Sequence, residues 1–171
     1  MRVDRWFAFV DLSGFTSFGD EFGDDASVEV LTVFRQGVRR VATEFGVRIA
    51  KWLGDGCMLV SVDGHQLVKA VCRLEQIVHE VDLPLSLHAG CAGGAVILLE
   101  GDDYTGRTVN LAARLAATAS PHEILAPVDL AEFIPEDTPV EPAGMITVPG
   151  LHDPVEVIRF GCAAAGDTVR A

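Results

Sequence analysis

Two stretches with helical apolar spacing flank a hairpin signature, and that order restricts what this chain can fold into more than any other feature. Residues 24–45 carry Val28, Leu31, Phe34, Val38, Val41 and Phe45 at helical intervals, with Asp or Ser available to start the helix. Residues 65–81 place Leu67, Val71, Leu74 and Val78 on one stripe. Between them, apolar runs at 47–53 and 58–62 flank Leu53-Gly54-Asp55-Gly56, with glycine where a tight turn needs positive φ. A buried strand is expected at 6–12, ending at Asp11 and a turn through Ser13 and Gly14. Downstream, 85–99 reads as one strand or as two hinged at Gly93-Gly94, and 108–119 as a third helix rich in Ala and Leu. Short strands follow around 123–125, 145–148 and 155–160. Strands alternating with helices in this way predict an α/β sandwich, with helices packed on a mixed sheet.

The 171 residues suffice for one domain with a proper core, expected to occupy 1–171. No apolar run is long enough for a membrane helix, and the first residues lack a secretory cleavage pattern. Four cysteines (Cys57, Cys72, Cys91, Cys162) show no CxxC pair, which suggests reduced thiols and a cytoplasmic location. His65, His79, His88, His122 and His152 fall in no ligand pattern. A net charge of −12 argues against nucleic acid or an anionic membrane as partner, since both need a cationic surface. It leaves a nucleotide substrate open, because a triphosphate needs only local cations.

Three segments carry polar residues where structure alone asks only for turn punctuation. In Asp11-Leu12-Ser13-Gly14-Phe15-Thr16, an Asp at a strand end can project into a crevice, and the turn's N–H groups can receive phosphate oxygens. The same residues equally make a plain strand-to-helix turn with Asp as its cap. In Lys51-Trp52-Leu53-Gly54-Asp55-Gly56, Asp55 sits at the hairpin tip, where Asp-Gly is also favoured for backbone reasons. Taken together, Asp11 and Asp55 have the chemistry that Mg²⁺ or Mn²⁺ prefers, one or two carboxylates beside substrate phosphates. In the third segment, Asn110 and Arg114 lie four apart on one helix face among apolar neighbours. They are either a solvated stripe or a pair suited to orient a sugar and brace a phosphoryl group.

The pieces FVDLSGFT, KWLGDG and DYTGRTVNLAAR, in that order and followed by PGLHDPVEV, resemble the class III adenylyl/guanylyl cyclase catalytic domain over about residues 7–160. The resemblance implies a ferredoxin-like βααββαβ core, with a mixed, mainly antiparallel sheet covered by helices. It implies two Mg²⁺ or Mn²⁺ ions per active site held by Asp11 and Asp55, with the backbone carbonyl of Leu12 completing one site. Phe15 and Thr16 fall in the substrate-binding turn, Lys51 and Asp103 match the base-recognition pair, and Asn110 and Arg114 match the ribose-orienting and transition-state-stabilising pair. None of these is missing from the chain.

The activity so implied is conversion of ATP to cyclic AMP and pyrophosphate by a homodimer with two shared active sites. One subunit would supply Asp11 and Asp55, the other Lys51, Asp103, Asn110 and Arg114. ATP is favoured over GTP because Lys is a donor only and ionised Asp an acceptor only, which complements adenine's ring nitrogen and amino group. One departure weakens the match: Val148-Pro149-Gly150-Leu151 has no Lys or Arg, where the family often places a phosphate-binding Lys. The competing expectations are a non-catalytic, nucleotide-binding or regulatory member, and guanylyl cyclase activity.

Overall fold

The computed structural model describes residues 1–148 and 153–161. Strand β1 (Arg2–Leu12) leads into helix α1 (Phe15–Phe45), the hairpin β2 (Arg48–Leu53) and β3 (Gly56–Ser61), helix α2 (Gly64–Glu80) and strand β4 (Leu87–Leu98). Then come the short β5 (Tyr104–Thr105), helix α3 (Arg107–Thr118), β6 (Ile124–Pro127), β7 (Val140–Ile146) and β8 (Val155–Phe160). The sheet order is β2-β3-β1-β4-β6-β8-β7, with β5 also paired to β4. Every pairing is antiparallel except β4 with β6. The expected mixed, mainly antiparallel sheet with helices is therefore what forms.

Helix α1 begins nine residues earlier than its apolar stripe suggests. Gly23 (φ 86°, ψ 175°) breaks it into two segments, and the Ser27 hydroxyl donates to the Gly23 carbonyl at 3.0 Å across the break. The segment before Gly23 is mostly exposed, so it carries little hydrophobic periodicity to read. Counting both segments, β1 to β4 runs βααββαβ. Helix α2 starts where Asp63 caps it, its carboxylate accepting from the His65 and Gln66 N–H groups at 2.8 and 3.3 Å.

Of the two readings of residues 85–99, the single strand is the one that forms. β4 is one strand paired with β1 along its whole length, and Gly93 faces the Trp6 ring so closely that a Cβ would strike it. β7 spans Val140–Ile146, upstream of the expected 145–148. β5 is too short to leave a periodic signal.

Both faces of the central strands are covered. On one face Ala8, Val10 and Leu59 pack beneath Phe34, Val38 and Val41 of α1 and Leu67, Val71 and Leu74 of α2. On the other, Phe7, Met58, Val60 and Ala92 meet Leu111, Ala112 and Leu115 of α3. Helix α3 lies directly on β4, because a Cβ on Gly90 would collide with the backbone of Ala112, Leu115 and Ala116. That close approach fixes the height of α3, and of its exposed residues Asn110 and Arg114, above the sheet.

Candidate functional site

The register of β1 brings its last residues to the hairpin tip. Val10 pairs with Cys57 of β3, so Asp11 emerges beside Gly56 and next to Asp55. Gly56 is required here for space rather than for positive φ: a Cβ would lie 2.5 Å from the Val10 carbonyl and 2.6 Å from Asp11 Oδ1. Positive φ belongs to Gly54, at 65°. On the other side Asp11 pairs with His88 of β4, whose Nε2 is 3.9 Å from Asp11 Oδ2 and whose Nδ1 meets the Ala116 carbonyl of α3 at 2.9 Å. His88 was invisible as a site residue in the linear sequence. Only strand register places it against Asp11, and no spacing rule encodes that.

Asp11 is 42% exposed, yet its Oδ1 is buried with no hydrogen-bond partner. Burial, with the Asp55 carboxyl beside it, raises the Asp11 carboxyl above the usual carboxylate range; His88 and the Leu12 N–H pull partly the other way. An orphaned acceptor against a second carboxylate is the donor set of a hard cation. Among the described residues no group of three or more His, Cys, Asp or Glu converges to hold a metal, so two carboxyls are what the protein offers there. Leu12 itself is buried in the core.

Gly14 adopts the left-handed conformation immediately before α1. The first intrahelical bond runs from the Phe18 N–H to the Gly14 carbonyl at 2.9 Å, which leaves the N–H groups of Phe15, Thr16 and Ser17 without intrahelical partners. Thr16 is exposed, and Phe15 is half-buried against the core.

Lys51 and Asp103, 52 residues apart, form an ion pair: Lys51 Nζ donates to Asp103 Oδ1 at 2.7 Å, with side chains 47% and 44% exposed. The Tyr104 N–H donates to the same oxygen at 2.8 Å. The Lys51 hydrogen bond, then the Tyr104 N–H, hold the Asp103 carboxyl below the usual range. Arg48 Nη2 donates to the Tyr104 hydroxyl at 2.9 Å, a second tie between β2 and β5. No hydrogen bond or ion pair among the described residues joins the Lys51–Asp103 pair to the Asp11–Asp55 pair. Asn110 and Arg114 are exposed on α3 and make no side-chain hydrogen bond or ion pair among the described residues. Within one chain, then, the two pairs stay apart, and the Asn110 and Arg114 side chains are unengaged among the described residues.

Sequence and structural relatives bear on this arrangement. An uncharacterized protein of Mycobacterium tuberculosis is 38% identical over 147 residues, 86% of this chain and 38% of that protein. An adenylate cyclase of Streptomyces coelicolor is 32% identical over 133 residues, 76% of this chain and 34% of its own length. The chain therefore spans little more than a third of the curated relatives it matches. No protein-family model matches it. The crystal structure of the adenylyl cyclase CyaB from P. aeruginosa superposes with a TM-score of 0.79 at 24% identity, covering 96% of this chain and 97% of that one; at that identity the likeness is one of fold. The chain belongs to the class III cyclase homology domains.

In this cyclase homology domain, no helix among the described residues is long and apolar enough to cross a membrane. Residues 149–151 of the segment lacking a phosphate-binding cation lie outside the described residues, and Val148 is buried. Cys57, Cys72 and Cys91 are buried, and burial pushes the Cys57 thiol up to about 12, so it carries no thiolate chemistry at the adjoining Asp11.

Asp11 gives a stability prediction with a defined sign. Its folded-state pKa lies above its unfolded value, so the folded domain holds that proton more tightly. Ionised Asp11 therefore destabilises the metal-free fold, an effect that grows as pH rises through the folded pKa and vanishes below the unfolded one. Asp11→Asn is expected to raise the melting temperature in chelator at pH 7 by about 1–3 °C, a modest gain because the side chain is partly solvated. Thermal scans should show the gain shrinking as pH falls toward about 4, and a lower melting temperature at pH 7 would contradict the cost of burying an ionised Asp11 beside Asp55.

Proposed function

We propose that the domain is an adenylyl cyclase that converts ATP to 3′,5′-cyclic AMP and pyrophosphate. The observation that carries this reading is the Lys51–Asp103 ion pair held between β2 and β5. Lys51 spends one of its three donors on Asp103 and keeps two for the adenine ring nitrogen. Asp103 Oδ1 is occupied twice, by Lys51 and by the Tyr104 N–H, and Oδ2 makes no hydrogen bond among the described residues. That oxygen is available to accept from the adenine amino group. Guanine reverses the pattern, setting an oxygen against a carboxylate and N–H groups against an ammonium, which costs affinity.

Asp11 and Asp55 are the residues that would hold Mg²⁺ or Mn²⁺, two per site with the Leu12 carbonyl; the orphaned Asp11 Oδ1 and the neighbouring carboxyl fit such ions. Bound there, the ions would acidify the ribose 3′-hydroxyl and neutralise charge on the triphosphate. The free N–H groups at Phe15 and Thr16 receive phosphate oxygens. Asn110 orients the ribose, and Arg114 braces the charge that builds on the α-phosphate as the 3′-oxygen attacks and pyrophosphate leaves. These groups act by position and charge, with no covalent intermediate on the protein.

Half-sites that remain separate within one chain are what a two-fold dimer would complete. Asp11 and Asp55 of one subunit would then face Lys51, Asp103, Asn110 and Arg114 of its partner, giving two equivalent sites. The test is product formation by the purified protein from ATP and from GTP, with Mg²⁺ and with Mn²⁺, across protein concentration. Cyclic AMP from ATP, with specific activity rising with concentration, is expected. No cyclic product from a folded dimer would favour the non-catalytic reading, for which the missing cation at Val148-Pro149-Gly150-Leu151 already argues.

A further inference from the structure

Asp55 sits at the tip of a two-strand hairpin whose outer strand, β2, is a sheet edge. Such a tip is held on one side only by its partner strand, and the carboxylate it carries lies against a second one at Asp11, which tends to push the tip away. Something must oppose that displacement, and α1 supplies a candidate. Arg35 Nη2 donates to the Gly54 carbonyl at 3.1 Å, one residue before Asp55, and the guanidinium lies over the Trp52 ring at 5.0 Å from its centroid. Its Nε is buried with no hydrogen-bond partner. A buried N–H left unsatisfied is rare and unfavourable. The guanidinium therefore accepts that penalty in a pose that keeps the Gly54 bond and the stack on Trp52 together.

Arg39, one helical turn on, offers an internal control. Its Cζ also lies over the Trp52 ring, 5.3 Å from the centroid, but it makes no hydrogen bond to the hairpin tip among the described residues. Both arginines can steady Trp52; only Arg35 is tied to the backbone that carries Asp55.

We propose that Arg35 is a positioning residue for the metal site, pinning the Gly54 carbonyl so that Asp55 is held beside Asp11. This rests on the metal roles of Asp11 and Asp55 given above. Arg35 is not among the groups assigned above to substrate or cation, and its hydrogen bond goes to backbone, not to either carboxyl. Its effect is geometric: it limits how far the tip can swing, and so sets how well two like-charged carboxyls are arranged before a cation arrives. Residues that orient a metal ligand typically change metal affinity by about 10–100-fold when lost.

The experiment is Mn²⁺ binding to the full chain followed by electron paramagnetic resonance of the free ion, with no nucleotide and no turnover required. Arg35→Met is expected to weaken Mn²⁺ binding about tenfold, whereas Arg39→Gln leaves it unchanged. Arg35→Lys keeps the charge but has no flat plane to stack on the indole, and is expected to fall between wild type and Arg35→Met. In turnover, the half-saturating metal concentration should rise with Arg35→Met while the KM for nucleotide at saturating metal stays put. A merely structural arginine would lower the melting temperature without that split. Folded Arg35→Met that binds Mn²⁺ as wild type does overturns the proposal alone, as does an equal loss in Arg39→Gln. Should Arg35→Met not fold, folded Arg35→Lys with wild-type affinity overturns it instead. Wild-type protein that binds no Mn²⁺, or an Asp55→Ala protein that binds it undiminished, overturns the metal assignment itself and this proposal with it.

Discussion

Asp55→Ala lowers cyclic AMP production by at least about a thousandfold while the domain stays folded. The magnitude follows from losing several kcal/mol of charge stabilisation at a phosphoryl centre, at a factor of ten for each 1.4 kcal/mol or so. The fold should survive because Asp55 makes no ion pair among the described residues and belongs to a turn, where the backbone preference rests with Gly54 and Gly56. Removing its carboxylate also relieves Asp11, so the melting temperature of the metal-free variant should hold or rise. Turnover with Mn²⁺ and a thermal scan on the same preparation check both halves of the expectation. A variant that turns over at the normal rate would remove Asp55 from the metal site, while an unfolded one would say nothing about metal and leave Asp55→Asn to decide.

Mixing two dead chains restores activity. Asp11→Ala and Arg114→Ala should each be inactive alone, because every site of either homodimer lacks an essential group. In the mixed dimer one site carries both lesions and the other carries neither. At equal concentrations and random pairing, half the dimers are mixed with one good site each, so recovery approaches about a quarter of wild-type activity. The structure makes this a sharp test: Arg114 stands exposed on α3 with no partner among the described residues, and Asp11 lies on β1 just past its last pairing with β3. No recovery, with mixed dimers demonstrated by mass, would mean that each chain builds its own complete site.

Much of the fold was legible before any coordinates. The stripes at Val28–Phe45 and Leu67–Val78 and the hairpin at Leu53-Gly54-Asp55-Gly56 are local patterns, and local patterns are what a sequence displays openly. The errors fall where locality fails. Helix α1 starts at Phe15 because a solvated first segment continues through the Gly23 break, and solvated helices have no apolar period. At Gly93-Gly94 the sequence left one strand or two open; one strand forms because Gly93 serves a close approach to the Trp6 ring and pairing with β1 runs on unbroken, both long-range contacts.

The candidate site divides the same way. Which residue types could serve a nucleotide and its cation (Asp11, Lys51, Asp55, Asp103, Asn110, Arg114) was determined by the sequence itself, because charge, donor count and chemical hardness belong to the residue and not to its surroundings. What they meet was decided by the tertiary structure. Strand register alone sets Asp11 between Gly56 and His88; the β2–β5 contact alone brings Lys51 to Asp103 across 52 residues; and α1 alone carries Arg35 to the Gly54 carbonyl. Those are long-range contacts, fixed by how helices and strands bury their apolar faces against one another. A linear pattern holds the ingredients of such contacts without their distances.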